Sequence, residues 1–206
     1  MKKIIFFIAV VTAFQCNFIK DPLLTQNPIQ RANVFYPLTV GNFWDYTEIT
    51  YRSDDTLKTE YRARVEEVVN IIDVEWSKIV FSPESPLSPR YLRVKNDSVF
   101  ELQYNFNIPV EALKYLKPTR KVQQFQSLLG GDVQITKTAY ILDDPVTTPA
   151  GIFDKCYMFV HETPDWIFKE ILSDGVGIVR SEFVDRTLEG DTVFIRITEL
   201  KNYRVQ

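Results

Sequence analysis

From residue 43 onward the chain is a series of short segments rich in aromatic and β-branched residues, with turn signals between them. Residues 43–52, which read FWDYTEITYR, have a period of about two, which is typical of a strand. Asn96 and Asp97 mark a two-residue hairpin turn further along. The pattern predicts a mainly β fold of about nine or ten strands. We expect a single curved antiparallel sheet, as a meander, a half-barrel or an open barrel.

A short helical insert is predicted in the middle of the chain. Residues 109–116 begin with a proline, which suits the first position of a helix. Their apolar residues follow helical spacing at Val110, Leu113 and Leu116. Residues 121–129 are interpreted as a second short helix or as irregular chain, which two glycines stop. Such an insert would cover one mouth or one face of the sheet.

Residues 36–46, which read YPLTVGNFWDY, are interpreted as the start of the folded domain. Pro37 keeps the residue before it extended, and Gly41 with Asn42 forms a turn pair that tolerates positive φ. The structural interpretation is a first strand whose Trp44 anchors the core. The functional alternative is a strand that lines a groove for an apolar molecule.

The N-terminus has the features of an export signal. Two lysines precede an apolar run at residues 4–14, which is too short to span a bilayer of about 30 Å and matches the core of a signal peptide. Cys16 follows, and this N-terminus resembles the signals of bacterial lipoproteins, which implies lipidation of Cys16. The prediction is a signal peptide at 1–15, a tether at 16–35 and a single β-rich domain at 36–206.

The cleavage site decides the fate of both cysteines. Cleavage after Ala13, where Val11 and Ala13 fit the small-x-small pattern, would instead give a soluble secreted protein. With Cys16 lipidated, Cys156 remains as a buried thiol. With Cys16 free, an oxidising compartment allows a disulfide between the two cysteines. The predicted location is the bacterial cell envelope, in the outer membrane or periplasm, with the protein held at the membrane by its lipid.

The sequence contains no catalytic or cofactor-binding motif. His161 is the only histidine, which excludes sites that need several. It lies on the same predicted strand as Cys156, an odd number of residues away, so the two side chains point to opposite faces. No metal or cofactor site is predicted. The chain has 24 basic and 27 acidic residues without a basic run, which argues against nucleic-acid binding.

Aromatic residues make up 14% of the chain, which is a high share. The structural interpretation is a large core that these rings fill. The alternative is a cavity between the sheet and the helical insert that takes a lipid or another apolar ligand. The candidate cavity residues are Trp44, Tyr46, Trp76, Phe100, Tyr104, Tyr157 and Trp166.

Three segments carry short motifs. Residues 36–46 give Y-P-L-x-x-G-N-x-W-x-Y, residues 148–157 give T-P-A-G-x-F-x-x-C-Y, and residues 175–182 give G-V-G-x-V-R-S-E. Together they resemble a loose group of bacterial envelope lipoproteins, mostly without assigned function. The resemblance covers residues 36–182 and implies a curved antiparallel sheet, similar to the half-barrels of periplasmic lipoprotein carriers.

The sequence therefore predicts an exported, lipid-anchored cell-envelope protein with a non-catalytic structural or interaction role and an unknown protein partner. The first alternative is a binder or carrier of an apolar ligand such as a lipid. The second alternative is a hydrolase of unfamiliar type, which for glycosides needs two carboxylates facing each other across a cleft.

Overall fold

The computed structural model of this chain describes residues 35–52, 55–83, 89–186 and 192–206, with backbone alone at 192 and 193. The predicted signal peptide, the predicted lipidation site at Cys16 and all but the last residue of the predicted tether lie outside the described residues. The described part of the chain contains fourteen strands and no helix. Accordingly, no helix there is long and apolar enough to cross a membrane.

The strands are β1 (Phe43–Tyr51), β2 (Thr56–Ile71), β3 (Val74–Ser82), β4 (Arg90–Lys95), β5 (Ser98–Asn105), β6 (Ile108–Leu116), β7 (Val122–Leu129), β8 (Val133–Ile141), β9 (Val146–Thr148), β10 (Gly151–Phe153), β11 (Cys156–Glu162), β12 (Trp166–Ser173), β13 (Gly177–Arg186) and β14 (Thr192–Arg204).

Twelve of these strands form one antiparallel sheet in the order β6-β5-β4-β3-β2-β1-β14-β13-β12-β11-β8-β7. The prediction of a mainly β fold built on a single curved antiparallel sheet is confirmed. Strands β9 and β10 pair separately as a small hairpin. The order follows the chain except that β14 returns to lie beside β1, so the first strand has neighbours from both ends of the domain.

The predicted helical insert is wrong, because its two segments are strands β6 and β7. Pro109 has no backbone N–H, which is tolerated because β6 is the last strand at one edge of the sheet. A register shift between β5 and β6 leaves Lys114 as an extra residue. This bulge breaks the strict alternation of the strand, so the apolar residues of β6 imitate helical spacing. The two glycines after β7 form a hairpin turn at positive φ instead of a helix stop.

Residues 35–42 pack across one end of the sheet, which we call the capped end. Asn42 is fully buried there, and its side-chain amide donates to the carbonyl of Pro37 at 3.2 Å. Its side-chain oxygen accepts from the backbone N–H of Gln206 at 2.9 Å. Trp44 is 1% exposed, and its indole N–H donates to the carbonyl of Val176 at 2.6 Å. The start of β1 is therefore fixed to both the first and the last residues of the domain.

The main core lies directly under this cap. The Tyr115 and Phe159 rings have their centres 5.0 Å apart, and Phe35 lies 6.2 Å from Phe159. Because neighbouring strands are antiparallel, successive turns alternate between the two ends of the sheet. The C-terminus and the β9–β10 hairpin therefore lie at the capped end, whereas the β5–β6 and β7–β8 turns lie at the opposite end.

Candidate ligand-binding cavity

A cavity of about 550 Å³ lies inside the curved sheet. It runs from Tyr36 and Trp44 at the capped end to Glu48, Pro83 and Arg196 towards the opposite end. Arg196 is 46% exposed, and we call this outer end of the cavity its mouth. The volume falls within the range of roughly 300 to 1,000 Å³ that is usual for small-molecule sites.

One wall of the cavity is aromatic and aliphatic. Trp44 and Tyr46 stand two residues apart on β1, so both face the interior. The phenol of Tyr46 donates to the carbonyl of Ile178 at 3.0 Å, as the Trp44 indole does to Val176. Tyr61 on β2 continues the row, with its ring centre 5.2 Å from that of Tyr46. These rings are held by backbone carbonyls and by one another, so the apolar wall is pre-formed.

The other wall carries charge. Arg90 on β4 and Lys114 on β6 both line the cavity. The bulge in β6 turns Lys114 and the next residue, Tyr115, into the interior together; they are 9% and 0% exposed. Glu101 on β5 lies 2.9 Å from the Lys114 ammonium and 3.9 Å from the Arg90 guanidinium. Burial opposes ionisation of Glu101, but these two cations hold its pKa below the usual value.

Two further ionisable groups adjoin this charged wall. The Lys137 ammonium donates to the backbone carbonyl of Lys114 at 3.3 Å. Burial, and then the Lys114 cation, lower the pKa of Lys137 to about 8. Glu170 on β12 lines the cavity and is 5% exposed. Burial, and then Glu170, raise the pKa of Tyr115. The interior therefore contains a dense set of charges that water does not fully screen.

At the mouth, charged residues and aromatic rings lie side by side. Arg196 lies 3.7 Å from Glu48, which also accepts a hydrogen bond from Thr198 at 3.4 Å. Phe168 and Phe183 line the cavity nearby, with ring centres 6.4 Å apart. The mouth thus offers apolar surface beside an ion pair, where a ligand can enter without separating a deeply buried pair.

The two edge strands of the sheet, β6 and β7, meet along a line that we call the seam. The Ser127 hydroxyl on β7 donates to the carbonyl of Leu113 on β6 at 2.6 Å. The Lys137 contact with the carbonyl of Lys114 also crosses the seam. Towards the turns, the Gln103 side chain donates to the carbonyl of Leu128 and accepts from the N–H of Gly131. Side chains thus join the two edges of the sheet.

Two of the seven candidate cavity residues from the sequence, Trp44 and Tyr46, line the cavity, and five lie elsewhere. Trp76 and Phe100 flank the Arg93 guanidinium, which lies 5.2 Å and 5.6 Å from their ring centres. The other three are Tyr104, which is exposed near the β5–β6 turn, Tyr157, which packs edge-on against Phe35, and Trp166, which packs against His161.

The candidate cavity residues predicted from the sequence include no residue of the charged wall. Lys114 lies in the segment for which the sequence predicts a helix, and its orientation depends on the bulge. Lys137 carried a usable signal, since it alternates in phase with Ile135 and Ala139 on the apolar face of β8. A lysine on such a face is rarely buried unless it has a partner or a role.

The cysteine and the histidine of the domain occupy separate environments. Cys156 is buried, its thiol contacts the carbonyl of Phe153 at 3.3 Å, and burial raises its pKa. The His161 ring stands edge-on to Trp166 at 4.4 Å, and burial, followed by Lys137, lowers its pKa. Among the described residues, no three or more His, Cys, Asp or Glu side chains are grouped so that they could hold a metal ion.

Comparison with known proteins assigns no family. No protein-family model and no curated protein matches the chain. Among solved structures, it is similar to a lipoprotein candidate from Parabacteroides distasonis, with 18% identity, a TM-score of 0.46, and coverage of 85% of this chain and 100% of the other. It is also similar to a candidate exported protein with a YmcC-like fold from Bacteroides fragilis, with 14% identity, a TM-score of 0.46, and coverage of 84% and 99%. Likenesses of this size support no inference about function.

Proposed function

We propose that this chain is a non-catalytic protein of the cell envelope, anchored through lipidated Cys16, whose interior cavity binds a small apolar or amphipathic molecule. The single observation that supports the binding role is the cavity of about 550 Å³ between the Trp44–Tyr46 wall and the charged wall. The sequence left open a purely structural role and a ligand-binding role. A cavity of ligand size with fixed aromatic rings favours the second.

The physical argument rests on what fills the interior. A protein core is normally packed to the density of an organic crystal, and voids cost stability because the side chains around them lose contacts. Here the aromatic wall faces open volume rather than the opposite wall. A ligand with an apolar body would restore these contacts and bury the exposed parts of Tyr61 and Phe81, which also line the cavity.

The test is a substitution whose larger side chain fills the cavity. Ala63 is buried and lines the cavity, so Ala63→Phe places a ring where the ligand would lie. We expect the wild-type protein, purified without detergent, to bind the neutral apolar dye Nile red. Ala63→Phe should weaken that binding roughly tenfold or more, which corresponds to about 1.4 kcal/mol.

The matched control is Thr147→Phe, which adds the same ring at an exposed position on the β9–β10 hairpin. It should leave dye binding unchanged. Solvent extraction of the natively purified protein supplies a second readout, and a co-purifying lipid would support the proposal. A folded Ala63→Phe variant that binds the dye as well as wild type, together with an empty extract, would overturn it.

A further inference from the structure

The charges that adjoin the cavity indicate which chemical class of ligand it takes. We propose that the cavity selects amphiphiles with an anionic head group, a carboxylate or a phosphate, which Arg90 and Lys114 bind with Lys137 as a third positive charge beside them. This inference rests on the proposed function and adds the head-group chemistry to it.

The cations of this cluster outnumber its carboxylates. Arg90, Lys114 and Lys137 face only Glu101 and Glu170. Glu101 forms ion pairs with both Lys114, at 2.9 Å, and Arg90, at 3.9 Å. Among the described residues, no other carboxylate lies within ion-pair distance of either cation, and none lies within that distance of Lys137. Lys137, which is half-buried and lies beside Lys114, is therefore the positive charge in excess.

Three carboxylates line the same cavity and oppose an anionic ligand: Glu48, Glu60 and Glu170. Glu48 pairs with Arg196 and Glu60 with Lys201. Glu170 is the one beside the charged wall. Its neighbours limit that opposition. Burial, and then Glu170, raise the pKa of Tyr115. Glu170 also favours the charged forms of Arg90 and Lys137. The cluster contains three basic and two acidic side chains, so its formal net charge favours an anion.

A partly buried charge without an ion pair is costly, and an anion bound beside it offsets part of that cost. The planar guanidinium of Arg90 suits carboxylate and phosphate oxygens, because it can donate two parallel hydrogen bonds to them. Arg90 lines the cavity, so this group is within reach of a ligand. The Lys114 ammonium beside it supplies a point charge.

The positions of the two walls set the direction of the ligand. The rings of Trp44 and Tyr46 come from β1, whereas Arg90 and Lys114 come from β4 and β6. An amphiphile bound here would place its head against the charged wall and its chain along the rings. A wholly apolar molecule would leave the charged wall unpaired, and a cationic head would add to the repulsion.

The test compares probes that share one chain and differ in head group: laurate, dodecyl phosphate, dodecanol and dodecyltrimethylammonium, each below its micellar concentration. Binding to the detergent-free full domain is measured by calorimetry. We expect laurate or dodecyl phosphate to bind at least roughly tenfold tighter than dodecanol, and the cation to bind weakest. The tighter of the two anions identifies a carboxylate or a phosphate as the natural head group.

Two variants assign the effect to residues. Arg90→Met should weaken binding of the preferred anion roughly tenfold and change dodecanol binding by much less. The control is Arg180→Met, because Arg180 is similarly exposed (34% against 30%), pairs with Glu199 at 3.3 Å, and does not line this cavity. Lys137→Met is the second test variant and should act in the same direction.

The outcomes separate the two proposals. If dodecanol or the cation binds as tightly as the anions, the head-group proposal is overturned while the cavity still functions as a binding site. If no probe binds, both proposals fail. Wild-type preference for an anion supports the proposal even where Arg90→Met does not fold, since Lys137→Met then reports on the cluster. Folded Arg90→Met and Lys137→Met variants with unchanged anion affinity would refute the assigned residues.

Discussion

The N-terminal and C-terminal halves of the sheet meet in two places that are built differently. At the first, nine residues of β1 pair along a backbone ladder with β14. At the second, the seam, the described residues join β6 to β7 and β8 through side chains such as Ser127 and Lys137. A ladder uses groups that every residue has, whereas the seam depends on the identity of single side chains. The ladder therefore keeps its hydrogen bonds when a side chain is replaced, whereas the seam loses them.

The largest loss of stability is expected at the β1–β14 contact, because Trp44 on β1 buries a whole indole. Trp44→Ala removes a buried ring and its hydrogen bond to Val176 and should cost about 3–5 kcal/mol in the free energy of unfolding, measured with urea. Phe106→Ala is the control, since this ring is 91% exposed and its loss should change stability by less than about 0.5 kcal/mol. An unchanged midpoint for Trp44→Ala would instead support the functional interpretation of that residue.

The Lys137 side chain spans the seam and makes the stability of the protein depend on pH. Its pKa falls from the unfolded value of 10.5 to about 8 in the folded protein. Between these values the unfolded chain binds more protons, so the stability contributed by Lys137 rises as pH increases from about 8 to about 10.5. The gain should be about 1–3 kcal/mol. The groups that act on this lysine are Lys114, Glu101 and Glu170.

The measurement is the difference in unfolding free energy between wild type and Lys137→Met across that pH range. The subtraction removes the titration of the tyrosines, which the two proteins share. The matched control is Lys169→Met, which removes a lysine that pairs with Glu182 at 3.1 Å. Parallel curves for wild type and Lys137→Met would contradict the prediction.

Close packing at the turn end of the seam can be tested with two adjacent glycines. A Cβ on Gly131 would lie 3.0 Å from the backbone carbon and oxygen of Tyr104, and its φ is +87°. Gly130 has φ +65° but meets only a side chain, at 3.7 Å. Gly130→Ala should cost about 1 kcal/mol for backbone strain, and Gly131→Ala about 2 kcal/mol, because the β5–β6 turn must also move. Equal midpoints in thermal unfolding would show that the turns are not in tight contact.

The smallest effect on stability is expected at Ser127. Ser127→Ala removes its hydrogen bond to the carbonyl of Leu113 and should cost about 1 kcal/mol. Ser77→Ala removes a similar bond to the carbonyl of Leu38, away from the seam, at a similar cost. Hydrogen exchange distinguishes them: only Ser127→Ala should speed exchange in β6 and β7 while β1 and β14 stay protected. Equal exchange in the two variants would remove the contrast between seam and ladder.

Sequence reasoning worked where local pattern decides the structure. The prediction of a strand at residues 43–52 agrees with β1 (Phe43–Tyr51), and the turn at Asn96 and Asp97 joins β4 to β5. Both follow from alternation and turn chemistry within a few residues. It failed at β6, because the bulge at Lys114 is defined only against the partner strand β5. The sequence of β6 alone does not show how its residues pair with β5.

The cavity was harder to predict for the same reason. Which aromatic residues face the interior depends on register, and a bulge in β2 shifts the pairing with β3, on which Trp76 lies. Buried charges add a second difficulty, since Arg90, Lys114 and Glu170 are ordinary surface residue types. Only their three-dimensional convergence makes them a candidate site.

The bond between Asn42 and the N–H of Gln206 has a practical consequence. It brings the C-terminus to the capped end, where the last residue is exposed. A reporter protein or a surface-immobilisation tag fused after Gln206 would therefore begin at the end of the sheet opposite the cavity mouth. Binding assays with immobilised protein can use that attachment point and leave the mouth open to solution.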